Sequence, residues 1–351
     1  MEFILYLVLI LFFTKVAGDL SIRIGQPAVL GKLIVGILLG PAVLGWIEQG
    51  SFINQLSEIG VLLLMFMAGL ETDLKQLRDN WKSAAAVAVG GIILPFLGGY
   101  ASALAFGFSQ NYALFFGVIF CATSVSISVQ VLKELDKMKS REGTTILGAA
   151  VIDDVLVVIL LAVMMSVAGP EGGGSIGLLI GKKVLFFIVV IIVGWFVVPK
   201  IMKWMSPLKG NESIITAGLF ICFSFVYFAE SVQMAGIIGA FAAGIAVSQT
   251  NYKHTVEEKI EPIAYSIFVP IFFVSIGLNV TLEGIGEQWL LVIVITIVAI
   301  VTKLVGGWAG ARLTGFNNKS SLVIGSGMVS RGEVALIIAA AGLEAGLVLQ
   351  E

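Results

Sequence analysis

Apolar residues form long, almost uninterrupted runs from one end of the chain to the other. Many of these runs reach about 20 residues, the length that a helix needs to cross a bilayer. They predict twelve transmembrane helices, at approximately 3–18, 27–46, 55–70, 83–107, 112–132, 144–168, 181–204, 212–229, 232–248, 262–279, 288–311 and 320–346. The composition agrees, since 58% of the 351 residues are hydrophobic and 13% are charged. The sequence therefore predicts an all-α polytopic membrane protein, with a single transmembrane domain over 1–351.

The basic residues between the predicted helices are distributed unevenly. One set of loops and helix ends, from Lys15 to Lys319, carries sixteen of them, and the opposite set carries only Lys182 and Lys183. Basic residues in membrane proteins are retained on the cytoplasmic side. The distribution therefore predicts that the N-terminus lies outside the cell, on the same side as the glycine-rich segment 169–175.

Two adjacent aspartates interrupt the sixth predicted helix. Asp153 and Asp154 lie in "VIDDVLVVILLAVM", about ten residues after Thr144, where this helix is expected to begin. A rise of 1.5 Å per residue puts them roughly 15 Å deep, near the bilayer midplane. A charge at that depth costs about 3 kcal/mol, so such residues usually face a cavity, a partner or a substrate. Successive helix positions diverge by about 100°, so the two carboxylates are expected to face different surroundings.

One lysine is expected at a similar depth. Lys303 lies in "VAIVTKLVGGW", about fifteen residues into the eleventh predicted helix. A single buried lysine leaves one of the two aspartates without a cationic protein partner. That carboxylate could hold a proton or a metal cation. The alternative is a buried ion pair that only holds two helices together, which would not need the second aspartate.

Two further predicted helices contain polar interruptions. "CATSVSISVQ" at 121–130 includes Thr123 and Ser124, and "GSGMVSRGEV" at 325–334 includes Arg331 and Glu333. Helices break at membrane depth where they line a cavity, and their freed carbonyl groups can coordinate ions. For the first stretch the alternative is a face of small hydroxyl residues that packs between helices. For Arg331 and Glu333 we predict a structural role, in which they satisfy the broken helix and each other.

Several stretches together resemble a known family. The sequence contains "GAAVIDDV" around the aspartates, with "ATSV" before it and "RGEV" after the late lysine. It also contains "QPAVLGKLIVGILLGP", "LMFMAGLETDL" and "GIIGAFAAGI", in the same order and with similar spacing. This combination resembles the bacterial cation/proton antiporters of the NapA type, the electrogenic sodium/proton antiporters that an Asp-Asp pair marks.

The resemblance implies an inverted-repeat fold in which two discontinuous helices, here 112–132 and 320–346, cross near the ion site. The core helices would lie at about 83–168 and 288–346, and the others would form a scaffold and a dimer interface. It further implies a homodimer, surrounded by lipid in a bacterial cell membrane. The family also has a further helix, the thirteenth, after "GLEAGLVLQE", and this sequence stops there. That helix would be the counterpart of the Asp-Asp helix, so its loss is expected to compromise the core.

The resemblance also assigns residues to the ion site. Asp154 would be the principal cation and proton carboxylate, with Asp153 as a second ion ligand that pairs with Lys303. Thr123 and Ser124 would lie beside them where the broken helices cross.

The expected activity is exchange of Na⁺ or Li⁺ for H⁺ by alternating access, with more than one proton per cation. Potassium/proton exchange, or mixed exchange, is the first alternative. A gated cation channel and a sodium-coupled symporter of an organic solute are the others. The sequence contains no P-loop and no Cys/His cluster, so ATP-driven pumping has no support. We therefore expect no enzyme activity, no cofactor, and no nucleotide or nucleic-acid partner.

Overall fold

The computed structural model describes residues 2–72, 74–168, 176–208, 212–232, 234–280, 289–332, 335 and 338. Within these residues every regular element is a helix. The helices are α1 (Glu2–Arg23), α2 (Ala28–Leu39), α3 (Ser51–Glu71), α4 (Leu74–Asp79), α5 (Trp81–Ala105), α6 (Gln110–Cys121), α7 (Val125–Glu134), α8 (Arg141–Ala168), α9 (Ile176–Phe196), α10 (Val198–Met205), α11 (Ser213–Ser231), α12 (Gly236–Ser248), α13 (Lys253–Ile263), α14 (Val269–Leu278), α15 (Trp289–Leu313) and α16 (Asn318–Gly327). A π-helical turn, Ala264–Phe268, joins α13 to α14.

The prediction of an all-α polytopic membrane protein is confirmed. In the described part of the chain, nine helical segments are long and apolar enough to cross a membrane. The count of twelve spans stays a prediction, and the second part of the last one, 320–346, lies largely outside the described residues. Two boundaries were wrong by about two helical turns or more. Helix α2 ends at Leu39, although the second predicted helix extends to 46. The chain is also helical from Lys253, although the apolar run begins near 262, because the charged sequence "KHTVEEKIEPI" gives no hydropathy signal for a membrane helix.

Two helices are interrupted where the polar stretches predicted it. Helix α6 ends at Cys121 and α7 begins at Val125, so Ala122–Ser124 is not helical. Helix α16 ends at Gly327, and the chain from 328 to 332 is also not helical. Hydrogen bonds from the backbone to side chains define where α6 and α16 start. Ser109 Oγ accepts a hydrogen bond from the N–H of Tyr112, and Asn317 Oδ1 accepts one from the N–H of Ser320.

The helices divide into two compact units. The first contains α1–α3, most of α9, α10–α14 and the last two residues of α7. The second contains α4–α6, the rest of α7, α8, α15 and α16. The second unit thus holds both interruptions, the two aspartates and Lys303. The assignment of core and scaffold roles stays a prediction.

Within the second unit, glycines let α5 and α15 pack backbone against backbone. A Cβ atom added to Gly90 would collide with the carbonyl oxygen of Gly306, and a Cβ added to Gly306 would collide with that of Gly90. Small residues allow this close approach between membrane helices. Gly306 lies about one helical turn after Lys303. The contact therefore brings the lysine to the backbone of α5 beside Gly91.

The predicted orientation gives a labelling pattern in intact cells. After Cys121 and Cys222 are replaced by alanine, Lys139→Cys and His254→Cys should react only with reagents that enter the cytoplasm. Ser175→Cys should react with an impermeant maleimide from outside, because the basic loops are retained on the cytoplasmic side. Impermeant labelling of either cytoplasmic position would overturn the predicted topology.

Candidate functional site

The two aspartates of the sixth predicted helix lie in the middle of α8 and are buried. Asp153 is 0% exposed and Asp154 is 3% exposed. Burial disfavours the charged form of a carboxylate unless a cation or hydrogen-bond donors compensate it. The environment of each carboxylate therefore decides what it can bind.

Lys303 supplies the compensation for Asp153. Its ammonium group lies 3.1 Å from Oδ2 and 3.3 Å from Oδ1 of Asp153, and both side chains are fully buried. The ammonium also donates to the carbonyl oxygen of Gly91, at 2.7 Å, and to that of Cys121. The two backbone carbonyls are contacts that the sequence did not indicate.

Thr123 lies at the interruption between α6 and α7 and completes the surroundings of Asp153. Its hydroxyl donates to Asp153 Oδ2 at 2.6 Å. The break thus places a polar side chain beside the buried ion pair. The structure therefore brings three of the predicted site residues together: Asp153, Lys303 and Thr123.

Ser124 contacts the second interruption and the start of α7. Its N–H donates to the carbonyl oxygen of Ser330 at 2.8 Å, and its Oγ accepts a hydrogen bond from the N–H of Ile127. The second bond is the usual contact of a helix-capping serine. Ser330 Oγ donates in return to the carbonyl oxygen of Ser124 at 3.0 Å. Ser124 therefore links the two interruptions, one residue away from Thr123.

Arg331 binds the end of α6. Its guanidinium donates to the carbonyl oxygens of Phe120 and Ala122, which the interruption leaves without helical partners, and to that of Ala299 in α15. A positive charge at the C-terminal end of a helix is favourable because the helix dipole is negative there. This contact fits the structural role predicted for Arg331. Glu333, its predicted partner, lies outside the described residues.

Comparison with known proteins agrees with this architecture. Residues 8–351 match the family described as sodium/hydrogen exchanger, transmembrane. The chain belongs to the sodium/hydrogen exchanger family. It is 62% identical to the Na⁺/H⁺-K⁺ antiporter GerN of Bacillus cereus, covering 100% of this chain and 90% of that relative. It is 44% identical to a Na⁺/H⁺ antiporter of Enterococcus hirae, covering 99% of this chain and 91% of the relative.

The fold of this exchanger is also found among solved structures. It resembles the sodium proton antiporter MjNhaP1 from Methanocaldococcus jannaschii with a TM-score of 0.75, over 97% of this chain and 85% of that one. The identity of 15% makes this a likeness of fold alone. The prediction of a cation/proton antiporter is confirmed at the level of the family, and the chain is a membrane transporter and not an enzyme.

Proposed function

We propose that this exchanger moves Na⁺ or Li⁺ out of a bacterial cell in return for protons, electrogenically, with Asp154 as the shared cation and proton site. The observation that carries the proposal is a pair of adjacent buried carboxylates beside a broken helix. Lys303 and Thr123 engage Asp153, and Asp154 is the neighbouring carboxylate on the same helix. We further propose that it acts as a homodimer with its N-terminus outside.

Competition at Asp154 is the first step of the mechanism. The deprotonated carboxylate binds a partly dehydrated cation, helped by hydroxyl and carbonyl oxygens near the interruption. The protonated carboxyl does not. Either occupant neutralises the charge, and neutralisation lowers the cost of moving the site through a low-dielectric environment. The site then opens to the other side of the membrane with one ligand or the other, which couples the two flows.

Asp153 and Lys303 form a second titrating unit that is coupled to the first. When a bound cation draws Asp153 into its coordination, the ammonium of Lys303 loses its only anionic partner among the contacts described above. The lysine can then release its proton. One proton from Asp154 and one from Lys303 for each monovalent cation would move a net charge across the membrane in every cycle.

Potassium/proton exchange, alone or beside sodium, is the second candidate. A relative that is 62% identical over nearly its whole length carries both Na⁺ and K⁺ in its name. One experiment separates the candidates: proteoliposomes in which internal pH and membrane potential are recorded while Na⁺, Li⁺ and K⁺ are added in turn. An antiporter gives a cation-driven proton flux. A channel gives cation flux without obligatory proton counterflow, and a symporter requires an organic co-substrate.

The apparent affinity for Na⁺ should depend steeply on pH. If one proton and one Na⁺ compete for Asp154, mass action raises the half-saturating Na⁺ concentration about tenfold for each unit by which the pH falls. This holds in the pH range where the site is mostly protonated. The measurement is the initial rate of exchange against Na⁺ concentration between pH 6 and 9. A half-saturating concentration that stays constant over this range would argue for separate sites.

A further inference from the structure

The hydrogen bonds of Lys303 go to acceptors on three different helices. The ammonium binds the carboxylate of Asp153 on α8, the carbonyl of Gly91 on α5 and the carbonyl of Cys121 on α6. An ammonium group has three hydrogens to donate. All three can therefore be used, and two of the three acceptors are neutral backbone groups.

A backbone carbonyl inside a helix normally accepts the N–H of the residue four positions later. For Gly91 that residue is Pro95, which lies inside α5 and is buried with Gly91. Proline has no backbone N–H, and its ring pushes against the carbonyl four residues earlier. The Gly91 carbonyl thus lacks the N–H that normally binds it in a helix, and Lys303 donates a hydrogen bond to it instead.

The Cys121 carbonyl lacks a helical hydrogen-bond donor for a different reason. It belongs to the last residue of α6, and the residue four positions later, Val125, lies beyond the interruption as the first residue of α7. The last carbonyl groups of a helix have no partner within that helix. A helix break and an internal proline therefore each leave one carbonyl available, and the same buried ammonium donates a hydrogen bond to both.

We propose that Pro95 is a positioning residue of the ion site. It frees the Gly91 carbonyl, which holds the ammonium of Lys303 in place beside Asp153. The two carbonyls remain bound to Lys303 when Asp153 turns to a cation. Pro95 would thereby help to keep the ammonium in place while Asp153 coordinates the cation, a consequence that rests on the function proposed above.

A thermal double-mutant cycle tests the contact without any transport measurement. In Pro95→Ala the new N–H satisfies Gly91, so removal of the lysine no longer leaves that carbonyl unpaired. The loss of Tm caused by Lys303→Ala should be smaller in the Pro95→Ala background by about 2–4 °C. Pro262→Ala, which also removes a proline from within a helix, should leave that loss unchanged. If the effects of Pro95→Ala and Lys303→Ala are additive, the proposed contact is wrong. Lys303→Met serves as the second lysine variant if the alanine protein does not fold.

Transport tests the consequence for the ion site. The half-saturating Na⁺ concentration should rise about threefold in Pro95→Ala proteoliposomes, with a maximal rate close to that of the wild type, because the ammonium has lost a hydrogen bond that holds it when Asp153 turns to the cation. Pro262→Ala should keep the wild-type values. An unchanged half-saturating concentration, or a fall in the maximal rate alone, would reduce Pro95 to a structural residue. If the wild type shows no Na⁺-driven charge movement, the proposed function fails, and the thermal cycle still decides the role of Pro95.

Discussion

Asp154→Asn should reduce cation/proton exchange to the level of protein-free liposomes. Asparagine keeps the size of the side chain but removes the charge that a cation would bind and the group that a proton would occupy. Asp154 lies in the middle of α8 with 3% of its surface exposed, so bulk water cannot reach the site to serve as a ligand in place of the carboxylate. The measurement is Na⁺-driven and Li⁺-driven proton flux at several pH values.

Three controls make this result specific. Thermal stability of Asp154→Asn should stay close to that of the wild type, since asparagine keeps the size of the side chain and can still form hydrogen bonds. Glu142→Gln neutralises a carboxylate near the start of the same helix and should exchange like the wild type. Asp154→Glu retains a carboxylate, displaced by one methylene, and should recover part of the activity. Exchange with unchanged apparent cation affinity in Asp154→Asn would remove Asp154 from the site.

The sequence alone could predict the features that depend on composition and position along a single helix. A run of apolar residues identifies a membrane helix whatever its neighbours, and a charge inside such a run stands out against the cost of burying it. The aspartates, Lys303 and the interruption around Thr123 are all features of this kind. Their assignment to one shared ion site depended on a family resemblance, because the sequence spacing does not show which helices are adjacent.

The remainder of the site depends on contacts between helices. Lys303 reaches Gly91 only because Gly90 and Gly306 let two backbones approach closely, and no periodic pattern shows that those two glycines meet. A local signal for this contact did exist. Pro95 inside the predicted helix 83–107 marks a carbonyl four residues earlier that needs another donor. The sequence could predict the free carbonyl but not the lysine that uses it.

Arg331 is a second residue whose contact partners the sequence could not predict. The sequence indicated that a broken helix would need compensating charge, and the guanidinium of Arg331 does donate to carbonyls at a helix end. Its role in the protein stays a prediction. The helix whose carbonyls it binds is α6 and not the one in which its own sequence stretch begins. Which helix end an arginine reaches is set by the three-dimensional crossing of the two interruptions.

Lys303→Gln should separate the structural role of the lysine from its role in coupling. Removing one partner of a buried ion pair costs about 3–5 kcal/mol, because the other charge stays buried without compensation. Glutamine retains an amide group that can donate hydrogen bonds, but it carries no charge for Asp153. A lower Tm is therefore expected whether or not the lysine carries a proton.

The transport result distinguishes the two roles. If Lys303 releases a proton in each cycle, the glutamine variant keeps the exchange of one cation for one proton at Asp154 and loses the second proton. We expect it to exchange Na⁺ for H⁺ electroneutrally. The measurement imposes a membrane potential of either sign on proteoliposomes with the same pH and Na⁺ concentration on both sides. Such a potential drives Na⁺ only when each cycle moves net charge. Wild-type vesicles should respond to it and Lys303→Gln vesicles should not. A potential-driven flux equal to that of the wild type would show that Lys303 serves only as the structural partner of Asp153.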